Sequence, residues 1–197
     1  MSRRVFDLLA SAGGLVVVVA LLVAGGLLTW GYSFAHSNVH NQLAEQQIYF
    51  PPKAAFAHAK PGTEITPGMI PYLEKYGGQE LLTGQQAHAY ADHFIAVHLS
   101  EMPYGGVYAK ISAAALAEPT NAALKTLEQT SFQGTTLRGL LLEAYGFSKV
   151  GQLMLWGAIA SFCLAFIMAI FVALGFRHAR QAPTDEEILM PKTSQAT

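Results

Sequence analysis

Two uncharged stretches of 27 residues, Leu8 to Phe34 and Val150 to Phe176, stand near opposite ends of this 197-residue chain. At about 1.5 Å per helical residue each would be roughly 40 Å long, more than the roughly 30 Å hydrocarbon core of a bilayer. The expected fold is an all-α membrane protein, with two transmembrane helices flanking a mainly helical extracytoplasmic domain. Its segments are a cytoplasmic N-terminus (1–7), a first span (8–34), the outer domain (35–149), a second span (150–176) and a cytoplasmic tail (177–197). The tail holds Asp185, Glu186, Glu187 and two prolines, and reads as disordered.

Arg3 and Arg4 precede the first run, and Arg177 and Arg180 follow the second. The opposite ends carry His36, His40 and the single charge of Lys149. Basic residues stay on the cytoplasmic side of spans, so both termini are expected in the cytoplasm and the protein in the plasma (inner) membrane, multi-pass. A signal peptide has an apolar region of only about 7–15 residues. The first run is longer, and no small-x-small cleavage site follows it, so it reads as an uncleaved anchor.

Composition matters where it excludes. Apolar residues make up 52% of the chain, with the excess in the two runs, and the net charge is −1. Nothing here supports nucleic-acid binding, which needs a basic patch. The one cysteine, Cys163, lies within the second run, so no disulfide can brace the middle domain. In an apolar helix it reads as a small hydrophobe.

Helical rhythm through Val39 and Leu43 extends the first helix to about Gln46, before Pro51-Pro52 ends it. Lys53 to Glu80, with three prolines and four glycines, reads as a loop with one helical turn after Thr66-Pro67. Thr83 and Gln86 form a capping-box pattern for a helix that stops before Pro103. Gly105-Gly106 allows a turn into a short helix ending at Pro119, and a polar helix follows over 118–129. Phe132 to Lys149 has the 3/4 spacing of an amphipathic helix and is expected to run directly into the second span.

Three histidines, His88, His93 and His98, lie on the capped helix. Five residues apart, they sit about 140° apart around an α-helix and do not converge. His88 with Asp92, and His98 with Glu101, have the spacing of two-ligand corners of a metal site. No cysteine pair or HExxH accompanies them, and polar surface accounts for them as well. His36 and His40 share a helical face, but the second span offers no histidine to complete a site. No cofactor is implied. In the second span Gly157, Ser161, Ala165, Ala169 and Ala173 recur every fourth residue, a spacing that lets another helix approach closely. Gly13, Gly14, Gly25 and Gly26 in the first span admit the same reading, or the ordinary frequency of glycine in spans.

Three stretches carry a family resemblance: VHNQLAEQQIYFP, QQAHAYADHFIAVHLSEMPYGG and TSFQGTTLRGLLLEAYGF. In these the chain resembles small actinobacterial two-span membrane proteins, many of which bear the label of an aromatic ring-opening dioxygenase small subunit. A ring-opening dioxygenase holds its iron in a catalytic partner subunit, and its small subunit is a soluble helical protein. A two-span chain is of another physical class, so the resemblance implies architecture and topology and not that activity.

The leading functional expectation is a non-catalytic accessory or scaffold subunit of a larger membrane complex, with other integral subunits and the bilayer as partners. The alternatives are a metal- or cofactor-binding extracytoplasmic module and a small oligomeric transporter or channel. The last lacks the charged residue that a pathway through a span usually shows.

Overall fold

The computed structural model describes residues 2–181, so the expected tail lies outside the described residues from 182 onward. The fold is mostly helical, with two long apolar terminal helices flanking a helical core. Its elements are α1 (Arg3–Gln46), α2 (Lys53–Phe56), α3 (Ile70–Leu73), α4 (Gly84–Tyr90), α5 (Ala96–Glu101), α6 (Tyr108–Ala117) and α7 (Ala122–Gln181). The 3-10 turns Pro67–Met69, Glu74–Tyr76 and Pro103–Gly106 lie between them, and a π turn, Ala91–Ile95, joins α4 to α5. Contacts divide the chain into two compact units: Met1–Tyr32 with Leu153–Thr197, and Ser33–Gln152.

The first unit is a pair of helices, the first part of α1 and the last part of α7. Its seam is built from small residues. Ser11, Val18 and Gly25 are buried on α1, and Ala158, Ala165, Val172 and Ala179 on α7. Both sets step by seven, the repeat that keeps one seam facing a partner helix. Larger side chains settle over the glycines: a Cβ on Gly25 would lie 2.8 Å from the Phe162 ring, and one on Gly14 2.7 Å from Val172 Cγ2. One on Gly175 would collide with Ser11 Oγ. Gly13 and Gly26 have nothing within 4 Å. Most of the large apolar residues point away from the seam: Leu9, Val16, Leu27, Trp30, Leu153, Trp156 and Phe166 are all exposed.

The five residues at four-residue spacing divide between faces. Ala165 is buried in the seam and Gly157 meets Leu28, while Ala169 and Ala173 are exposed. A four-residue step overshoots one helical turn by about 40°, so such a stripe winds off the interface; a seven-residue step drifts only about 20°.

The second unit closes around a loop-rich excursion. Tyr49 and Glu80 form an antiparallel bridge, with Phe50 N–H donating to Gln79 O at 2.9 Å and Leu81 N–H to Ile48 O at 2.8 Å. Between these tie points the expected single turn is instead four short helical turns, which bury Phe56, Met69 and Leu73. With Leu43, Phe50, Leu81, Ile95 and Leu141 they make one apolar core. Thr83 caps α4 through the reciprocal pattern with Gln86.

The polar helix expected over 118–129 and the amphipathic one after it are a single helix, α7, which continues through the second apolar run to Gln181. Ser131, at the expected break, is buried and donates from Oγ to Gly106 O at 2.9 Å. Gly106 has a positive φ, and a Cβ there would strike the Leu99 carbonyl. That turn therefore needs glycine.

Candidate functional site

The π turn decides which histidines meet. An α-helix sets residues five apart about 140° out of phase, whereas a turn closed by an i to i+5 hydrogen bond brings them round to one face. Here Ala96 N–H donates to Ala91 O, five residues back. His88 and His93 consequently line one cavity of about 290 Å³. His98, beyond the π turn, lies on a different, apolar cavity with Phe94, Leu99 and Met102.

Tyr72 and Lys75, from α3 and the 3-10 turn after it, close one side of the first cavity. Tyr145 and Lys149, one turn apart on α7, close another. The Tyr72 and His93 rings stack at 3.5 Å with only 3° between their planes. His88 lies against Tyr145 with centroids 4.3 Å apart. Lys149 Nζ sits 5.3 Å over the Tyr145 ring and donates to Gln152 Oε1 at 3.2 Å. Lys75 Nζ lies 4.8 Å over the Tyr76 ring. Loss of solvent around His93 favours its neutral form and lowers its pKa below the usual imidazole value, against an opposing pull from Asp92; the nearby His88 adds to the lowering.

Behind the cavity, His88 Nε2 stands 3.2 Å from Asp92 Oδ2, and Arg138 Nη2 donates to Asp92 Oδ1 at 2.7 Å. Asp92 thus ties the helix carrying the π turn to α7. The guanidinium offsets part of its charge, and what remains is the pull on His93.

His88 and Asp92 therefore come together, and His98 and Glu101 do not join them. His98 Nδ1 lies 2.8 Å from Phe94 O, which can only accept, so Nδ1 carries a proton and donates to it. Glu101 is exposed at the end of α5. Among the described residues no three of His, Cys, Asp and Glu are grouped so as to hold a metal ion.

The sequence reading missed Tyr72, Lys75, Arg138, Tyr145 and Lys149 as site residues. Tyr145 and Lys149 were open to detection, being four apart on a helix that reads as one. Asp7 was missed as well. On the first unit it lies 3.7 Å from His178 Nε2, at a groove of about 680 Å³ that Gly14 and Gly175 help to form, and its Oδ2 is buried without a hydrogen-bond donor among the described residues. Comparison with family models, with curated proteins and with solved structures found no match to this chain.

Proposed function

We propose that the chain is a non-catalytic accessory subunit of a membrane complex, anchored by two plasma-membrane spans. In this reading both termini are cytoplasmic, and residues 33–152 form a helical domain outside. One observation carries it: the helix pair is inside out relative to a soluble one. Small residues and two valines fill the seam, while most of the Leu, Trp and Phe side chains face outward. Only 17% of the most apolar part of α1 and 11% of that of α7 is buried, whereas the core helix of a soluble protein is mostly buried. Lipid or other apolar helices are the surroundings that suit such a surface.

Two further points favour a partner over lipid alone. Ala169 and Ala173 leave a small-residue face open on α7, and among the described residues the buried Asp7 Oδ2 faces only the His178 ring, at 3.7 Å and beyond hydrogen-bond reach. A neighbouring subunit could supply a donor. The resemblance to small two-span actinobacterial membrane proteins agrees with this architecture. A metal-binding role would need ligands beyond the His88–Asp92 pair.

Purification from native membranes in mild detergent tests the role. A defined set of integral subunits should accompany the wild-type chain, and Asp7→Ala should reduce their recovery. A chain that emerges alone and homogeneous would overturn the accessory role, whatever its topology.

A further inference from the structure

The cavity formed by His88, His93, Tyr72, Lys75, Tyr145 and Lys149 presents charge without a counter-charge. Two ammonium groups border it, and no Asp or Glu is among its lining residues. Among the described residues neither lysine has a carboxylate partner; each rests over a tyrosine ring, and Lys149 has a neutral amide. Asp92, outside the lining, is engaged on both oxygens by Arg138 and His88. The His93 imidazole can add a donor, and the Tyr72 and Tyr145 rings fix the two histidines in place. Flexible ammonium groups act as point charges and suit a compact oxyanion, whereas a planar carboxylate is better met by the fork of an arginine.

From this arrangement we propose that the cavity binds a phosphate group, with Lys75 and Lys149 as its counter-charges and His93 as a further donor. The π turn is what makes the site, because without it the two imidazoles would face different ways. Lys149 immediately precedes the apolar run that begins at Val150. The phosphate therefore has two possible sources: the headgroup of an anionic phospholipid, or a free phosphate ester or inorganic phosphate. The cavity lies wholly within residues 33–152, so the proposal stands apart from the accessory role.

The test uses the full chain purified in a neutral detergent. Inorganic phosphate and glycerol phosphate are titrated calorimetrically, and phosphatidylglycerol or phosphate-free diacylglycerol is added before native mass spectrometry. One-to-one binding of at least one phosphate-bearing probe is expected, with diacylglycerol retained far less. Binding by phosphatidylglycerol alone identifies the lipid headgroup as the source, and binding by the soluble probes identifies the free ester or ion. Lys75→Gln and Lys149→Gln should each weaken that binding about tenfold, as expected for one charge-assisted hydrogen bond. Both lysines reach solvent, so the variants should retain the wild-type helical circular dichroism. His98→Gln, on the other cavity, should leave binding unchanged. The proposal is overturned if no phosphate-bearing probe saturates, if diacylglycerol binds as well as phosphatidylglycerol, or if the folded lysine variants bind like wild type.

Discussion

At the scale of single residues, Asp92 does the most joining, since it holds α7 through Arg138 and orients His88. Both ion pairs are partly exposed, with side-chain exposures between 30% and 41%, so solvent screens them. Asp92→Asn should therefore destabilise the second unit by only about 1 kcal/mol in chemical unfolding. His93 has a pH signature of definite sign. Its folded pKa is lowered, chiefly by loss of solvent, so the unfolded chain binds the proton more readily. The stability of the neutral form is fully present above the unfolded value of about 6.5 and declines as pH falls through and below it. His93→Gln should remove that part of the acid sensitivity. An imidazole NMR titration that put the His93 midpoint above the free-histidine value, in phosphate-free buffer, would contradict the assignment.

At the scale of elements, the seam and the core make unequal demands. Gly25→Ile forces a branched side chain against Phe162 and should cost about 1–3 kcal/mol in thermal unfolding in detergent. Gly26→Ile meets open space one residue away and should stay within about 0.5 kcal/mol of wild type, apart from its helix propensity. Similar losses for the two would argue against the seam. In the second unit Leu73 is fully buried, and Leu73→Ala should cost about 2–5 kcal/mol. The elements differ in how far sequence foretells them. The end of α1 at Gln46 and the Thr83 cap are legible because proline and capping residues act locally. The turns between Lys53 and Tyr76 are three or four residues long, too short for a period to register. The π turn leaves no mark in the sequence, since it changes the phase of later residues without changing their order. That is why His88 and His93 read as divergent although they meet. The seam was legible only in part: small residues were visible, but their spacing of seven needs two facing helices to be recognised.

At the scale of the molecule, the distribution of apolar surface is the fact that any account must meet. The helix pair turns its large side chains outward, while the Ser33–Gln152 unit buries Met69, Leu73 and Leu81 as a water-exposed domain does. These opposite arrangements are consistent with two solvents, the change of polarity falling near Tyr32 and Lys149 in the proposed topology. A membrane-impermeant thiol reagent applied to spheroplasts measures this directly. Cys163 is first replaced by alanine, and single cysteines are placed at the exposed positions Ala57 and Gln129. Ala57→Cys and Gln129→Cys should both be labelled without permeabilisation. Labelling that appears only after the membrane is opened would contradict the proposed topology.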